Sequence, residues 1–360
     1  MRVPATDGHV RPGGRGVNRT ADLLIAGGGP AGLATALYAA RAGFDVVVAE
    51  PRGTPIDKAC GEGLMPGAVR ELRALGLEVP GHPITGIRYR QGPHLAQAEF
   101  RRGHGLGVRR TLLHAALHTA VVAAGVSVLP LRVRDVRQDA TGVSDSATGV
   151  RARWLVAADG LHSPVRRSLG LGAATSPDRS RYGLRRHYAV EPPSSYVEVH
   201  WGPYGEAYLT PLGPRLLGVA LLTARRAPFD EQLAGFPALA ALLPAGAAVG
   251  TVRGAGPLRQ RVRTRVYGRV LLVGDAAGYV DALTGEGLAL ALAGARVLVD
   301  QLRRGTPRSY ETAWQRATLR HRLLTHGLLR ARQQPRLADL IVPTAARLPR
   351  VFTLAVDALA

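Results

Sequence analysis

Residues 57–66 read DKACGEGLMP and gather the chain's only lysine, Lys58, its only cysteine, Cys60, and its only methionine after the initiator, Met65. Elsewhere arginine carries the positive charge and Leu, Val and Ala supply the bulk. A thiol and a carboxylate, Cys60 and Glu62, set among glycines could face a substrate, while Gly61 and Gly63 let the backbone pass close to a planar ring. Lys58 could meet a phosphate or that ring. Cys60 and Met65 could equally fill a tight packing site. No partner base for a nucleophilic thiol is identifiable from the sequence.

What the loop faces is suggested by three motifs at strand ends. In ADLLIAGGGPAGLATALYAARAGFDVVVAE, residues 21–50, an apolar strand over 22–26 meets Gly27-x-Gly29-x-x-Gly32, and residues 31–42 continue as an Ala-rich helix. Gly27 permits the turn, Gly29 removes the side chain where a pyrophosphate would approach, and Gly32 lets helix and strand pack closely. The helix N-terminus then points at the phosphates. A second strand ends in Glu50, about 20 residues on, where a carboxylate can bind a ribose hydroxyl, with Arg52 beside it. This combination predicts a bound dinucleotide. The second motif, ARWLVAADGLHSPVRRSLGL, runs from a strand into Asp159-Gly160, then Ser163 and Arg166 on a helix; alone, it could be no more than a helix cap. The third, GRVLLVGDAAGYVDALTGEGLALALAGA, ends a strand in Gly274-Asp275 and starts a long helix at Gly285-Glu286-Gly287-Leu288. Asp275 can hold a hydroxyl chain, and the glycines bring backbone N–H groups to a ring that becomes anionic on reduction.

In this order the three motifs resemble the single-component FAD monooxygenases of the aromatic-hydroxylase type and their relatives, the geranylgeranyl-reductase-like flavoproteins, over roughly residues 20–300. The resemblance implies an α/β fold: a doubly wound, Rossmann-like FAD domain, a sheet-rich substrate domain over the isoalloxazine, and C-terminal helices. It places Gly27, Gly29, Pro30, Ala31, Gly32, Glu50 and Arg52 at the ADP half, with Asp275 at the ribityl or pyrophosphate region. Gly285, Gly287 and Leu288 fall beside the ring. In GVRRTLLHAAL it makes Arg110, with Arg109 as the alternative, the residue that reaches the phosphates. It links Asp159, Gly160 and Arg166 to FAD and NAD(P)H. CGEGL is similar to the Cys-Gly-rich loop of the geranylgeranyl-reductase-like branch, which brings Lys58, Cys60 and Glu62 to flavin and substrate.

The chemistry implied first is NADPH- or NADH-dependent monooxygenation. FAD is reduced, O2 adds to give a flavin C4a-hydroperoxide, and a small aromatic, phenolic or polyketide-like substrate takes the distal oxygen. The alternative is a reductase acting on an alkene or prenyl chain, although EAYLTP carries Tyr208 where the prenyl-lipid reductases' Tyr-x-Trp-x-Phe-Pro has Trp. A halogenase ranks third, since Trp-x-Trp-x-Ile-Pro is absent. Asp281-Ala282-Leu283-Thr284 also departs from the hydroxylase pattern, in which a proline commonly follows the Gly-Asp motif.

The elements that must position these residues divide the 360-residue chain. Residues 1–20 read as a flexible arm. Residues 21–83, 104–175 and 259–305 read as the FAD domain, 84–103 and 176–258 as the substrate domain with an antiparallel sheet, and 306–360 as a helical segment. In YVEVHW, Tyr196, Glu198 and His200 share one strand face, for which water is the expected neighbour. Arg186, His187 and His200 are further pocket candidates. One cysteine excludes an internal disulfide, and no apolar run reaches the roughly 20 residues of a membrane span, so a cytoplasmic enzyme is expected. The formal charge of +21 is spread without aromatic-interleaved clusters, which argues against nucleic acid and favours anionic ligands. The Leu- and Arg-rich tail allows contact with a membrane surface. No metal cluster is apparent.

Overall fold

Strands that read as unbroken apolar runs belong in a parallel sheet covered on both faces. Leu23–Ala26, Val46–Ala49, Leu155–Ala157 and Val270–Leu272 are such runs, and every one of these residues is buried. The computed structural model, which describes residues 19–174, 180–244 and 246–359, pairs them in parallel. The order is Val270–Leu272, Val150–Ala157, Arg19–Ala26, Val46–Ala49, Ser127–Leu129. The arm read over residues 1–20 lies outside the described residues except for Arg19 and Thr20, which begin the first strand. Helices Pro30–Arg41, Arg110–Ala123 and Gly287–Arg303 contribute Leu33, Leu37, Leu113, Leu117, Leu292 and Leu298 to one buried cluster with the strands.

The register matters more than the strand count. Ala26 pairs with both Ala49 and Ala157, and Ala157 with Leu272. The parallel strands therefore end together, and Gly27, Glu50, Asp159 and Gly274 follow at one edge, where doubly wound sheets bind ligands.

A second sheet of seven strands runs in the order Ala248–Ala255, Tyr182–Tyr188, Leu216–Thr223, Gly205–Gly213, Tyr196–Trp201, Gly86–Gln91, His94–Glu99. It is antiparallel as expected, save that Tyr196–Trp201 runs parallel to Gly86–Gln91, the strand supplied from the earlier part of the chain. Helices Tyr310–Gln333, Ile341–Arg347 and Pro349–Leu359 pack on the sheet face that carries Val197, Val199 and Trp201. There Leu329, Val342 and Phe352 share a buried cluster with Tyr89, Val199 and Trp201.

A buried ion cluster ties these parts together. The Arg181 guanidinium bonds Glu206 and lies 3.3 Å from Asp281, and Arg332 of the long C-terminal helix bonds the same Glu206. Sheet, helical layer and the 278–287 loop thus share one set of charges. Burial pushes the Asp281 carboxyl up to about 6 against the opposing pull of Arg181. A carboxyl whose pKa is higher folded than unfolded contributes stability that is fully present below the unfolded value and is lost as pH rises through the folded one. Urea titrations should therefore show wild type losing up to about 3 kcal/mol between pH 4 and pH 7 relative to Asp281→Asn. Parallel pH profiles for the two proteins would remove this assignment.

Candidate active site

The strand ends open into a cavity of about 540 Å³ that runs from Gly27 and Glu50 past Asp275 to Tyr279 and the second sheet. At its first end the glycines divide their work. A Cβ on Gly27, at φ +104°, would stand 2.6 Å from the Ala158 carbonyl oxygen, and one on Gly32 would stand 1.9 Å from the Gly27 carbonyl oxygen. A Cβ on Gly29 would meet no protein atom within 4 Å, so this glycine keeps open space at the N-terminus of the Pro30–Arg41 helix. Pro30 and Ala31 line that space, whereas Gly32 serves the packing of helix on strand. Glu50 is fixed from three sides: its Oε2 accepts the Gly28 N–H at 2.8 Å, and Arg52 donates to both oxygens at 2.8 Å. Burial raises the carboxyl's pKa, but the Arg52 and Gly28 hydrogen bonds outweigh it and leave Glu50 below the usual range.

In the middle of the cavity, Asp159, Gly160, Gly274 and Asp275 form the wall. Asp159 Oδ2 accepts the Val165 N–H at 3.0 Å, while Oδ1 is buried without a protein partner. Burial raises this carboxyl, which favours a donor or neutral partner in the cavity. Arg166 does not reach the ligand space. Its guanidinium donates to the Leu161, Asp275 and Ala276 carbonyls and to Gln260, buttressing the Gly274–Ala277 turn from behind. Arg110, first residue of its helix, lines the cavity with a buried Nε that has no protein partner, whereas Arg109 is exposed. Lys58 Nζ approaches Gly160, where an added Cβ would sit 3.2 Å from it.

At the far end the 57–66 loop crosses under the second sheet. Glu62 adopts φ +60°, a left-handed conformation uncommon outside glycine. It is over-determined by its bonds: Oε1 accepts the Arg110 N–H at 2.8 Å, Oε2 lies 2.6 Å from His187 Nε2, and its carbonyl accepts the Val108 N–H at 2.9 Å. Such strain, of about 1–3 kcal/mol, persists where the surroundings fix it. Arg185 bonds Asp57 and comes within 3.8 Å of Glu62, and Thr210 donates to the Gly61 carbonyl at 2.8 Å. Glu62 therefore orients Cys60, whose Sγ accepts the Glu62 N–H at 3.4 Å. Burial pushes the Cys60 thiol up, so it stays protonated at neutral pH. The same cavity is lined by Met65, Val197, Leu222 and Leu258 with Tyr208 and Tyr279, both phenols also raised by burial. Gly285, Gly287 and Leu288 complete this end, and a Cβ on Gly287 would touch the Tyr279 ring at 3.4 Å.

Two candidates fall elsewhere. Arg186 pairs with Asp230 at 2.6 Å and stacks on Phe229, because strand alternation turns Arg185 and His187 inward and Arg186 outward. His200 lies 3.7 Å from Glu198 in a cluster with Arg88 and Arg90, on the face opposite the cavity-lining Val197. On that polar face Glu198, 2% exposed, meets Arg88 and Arg90 rather than water, while Arg90 itself stays partly exposed. Sequence reading missed Arg185, Asp57 and Tyr279. The i, i+2 spacing of Arg185 and His187 was a usable signal; nothing local marked Tyr279.

The open space at Gly29 and the unpartnered Asp159 Oδ1 and Arg110 Nε, strung along one cavity, fit an extended dinucleotide. Comparison with known proteins agrees. Residues 20–202 match the family described as FAD binding domain. The menaquinone reductase of Mycolicibacterium smegmatis is 31% identical, over 94% of this chain and 91% of that protein. Digeranylgeranylglycerophospholipid reductase 1 of Methanopyrus kandleri is 30% identical, over 77% and 78%. The ubiquinone hydroxylase UbiL of Rhodospirillum rubrum is 31% identical, over 79% and 73%. A geranylgeranyl bacteriochlorophyll reductase-like structure from Thermoplasma acidophilum has the same fold, with TM-score 0.78 and 21% identity over 93% and 92% of the two chains.

Gly29→Val should fold with a near-native melting curve yet purify with little flavin absorbance, because its side chain fills ligand space alone. Gly32→Ala should lose soluble protein as well, and Asp275→Ala should fold with weakened FAD retention. Full flavin occupancy in Gly29→Val would refute the cradle assignment.

Proposed function

This chain belongs to the FAD binding domain family and is an FAD-dependent oxidoreductase, and from that premise we propose that it is a reductase that saturates a carbon–carbon double bond of a polyprenyl lipid. The observation that carries the reading is the makeup of the cavity's far end. Among the described residues there, Cys60, Tyr208 and Tyr279 are held protonated by burial amid apolar walls. The carboxyl beside Cys60, Glu62, is engaged by His187 and the Arg110 N–H, while Asp159 and Asp275 belong to the part of the cavity assigned to the cofactor. Such a site offers proton donors and lacks the disengaged base that activating a phenol calls for. The relatives support the same choice over the hydroxylation ranked first from sequence. The two named as reductases act on molecules without a common ring; what menaquinone and a digeranylgeranyl lipid share is a polyprenyl chain.

FAD, when bound, supplies the hydride. The protein's residues do the rest. Gly27, Gly29, Glu50, Arg110, Asp159 and Asp275 would hold the cofactor. Met65, Val197, Leu222 and Leu258 exclude water and seat an isoprenoid unit. The Cys60 thiol, aimed by the Glu62 N–H, gives a proton to the carbon that does not receive the hydride. NADPH or NADH is proposed as the electron source, binding transiently.

The test is anaerobic. FAD-loaded protein is reduced with NADPH, NADH or dithionite, then mixed with a geranylgeranyl lipid. Flavin reoxidation with a product two mass units heavier is expected. If reoxidation requires oxygen and the product instead gains 16, a hydroxylase replaces the reductase. Cys60→Ser should retain FAD and slow the single-turnover step about 10²–10⁴-fold, the usual worth of a placed acid. A rate within threefold of wild type would move the proton donor to Tyr279, because the Tyr208 hydroxyl already donates to the Leu283 carbonyl at 2.9 Å.

A further inference from the structure

The C-terminal helical layer has two differently used sides. Its inner side packs Leu329, Val342, Phe352 and Val356 into the same buried cluster as Met65, Val197, Leu222 and Leu258, the apolar walls of the cavity. Its outer side leaves large apolar groups in water: Leu319, Leu323, Leu340, Leu348, Val351 and Leu354 are each at least half exposed, with Leu323 at 64%.

These side chains are interleaved with arginine. On the 24-residue helix Tyr310–Gln333, positions 316, 319, 320, 323, 327 and 330 fall within an arc of about 100° at 100° per residue. They read Arg, Leu, Arg, Leu, Gly, Arg, and all are exposed. On the last helix Val351 and Leu354 follow the exposed Arg347, Leu348 and Arg350 in the same manner. Arginines outnumber acidic residues nine to three between positions 306 and 360. Scattered exposed leucines need no explanation, but a basic, leucine-bearing layer gathered in one stretch of chain does. Arginine stems can lie along apolar surface while their heads stay at a charged one, which suits the headgroup region of an anionic bilayer. No described helix is long and apolar enough to cross a membrane, so the layer would lie on the surface.

We propose that the outer face of the C-terminal helices, centred on Leu319, Leu323, Leu348 and Leu354, docks the protein on an anionic lipid bilayer. The proposal concerns binding alone and does not depend on the reaction catalysed. The same layer packs, through Leu329, Val342, Phe352 and Val356, into the cluster that supplies the cavity's apolar walls.

Co-sedimentation of the FAD-loaded protein with phosphatidylglycerol/phosphatidylcholine vesicles tests it without turnover. Pelleting that weakens with added salt is expected, with little on pure phosphatidylcholine. The double variant L319E/L323E should keep its flavin and melting temperature and lose vesicle partitioning at least tenfold. If that variant loses flavin, Leu354→Glu on a separate helix gives the same comparison. No pelleting with anionic vesicles would overturn the proposal, as would unchanged partitioning of a folded variant. A light-scattering mass that falls to half in the variant would also overturn it, because the face would then join two copies of this chain.

Discussion

Everything about this site depends on parallel strands that end in register. Ala26, Ala49, Ala157 and Leu272 lie side by side across the sheet, so the residues just beyond them come together although they span some 250 positions of sequence. The apolar runs cause this. Strands buried on both faces cannot slip without moving their side chains out of the packing made by the covering helices. The cofactor end of the cavity is therefore rigid because the core is rigid, and the glycines there remove atoms at points the core has already placed.

The far end is held by charge instead of packing. Glu62, in a backbone conformation that few non-glycine residues adopt, joins the Cys60 loop to the helix beginning at Arg110 and to the second sheet through His187. A buried carboxylate is tolerable only when its oxygens are engaged, and here that engagement also sets where the thiol stands. Arg181, Glu206, Asp281 and Arg332 repeat the device further out. The 278–287 loop, the second sheet and the C-terminal helices consequently form one assembly around the cavity.

The relatives sharpen the chemistry without altering the architecture. Proteins named as menaquinone and digeranylgeranylglycerophospholipid reductases and a ubiquinone hydroxylase align over more than three quarters of this chain at 30–31% identity. One scaffold thus supports both reduction and oxygenation, and the difference must lie in what surrounds the reacting carbon. In this chain the cavity holds a thiol and two phenols kept protonated by burial, among aliphatic walls. That environment suits protonation of carbon better than deprotonation of a substrate hydroxyl.

The cofactor end was legible in sequence because its signals are local. A glycine triplet between strand and helix, an acid after the next strand and a Gly-Asp pair after another each declare their own geometry, since backbone approach and strand burial are decided within a few residues. The unusual composition of residues 57–66 drew attention to that loop, and in the fold Lys58 to Gly63 and Met65 line the cavity. Tertiary structure alone decided the rest. Whether Arg185 or Arg186 faces inward, whether Glu198 and His200 meet water or arginine, and whether Arg166 touches a ligand or a backbone turn all depend on which distant element lies opposite. The pairing of Glu62 with His187, 125 positions apart, could not be read from either segment, because a side chain's partner across a fold is set by strand register and sheet order, and local sequence carries neither.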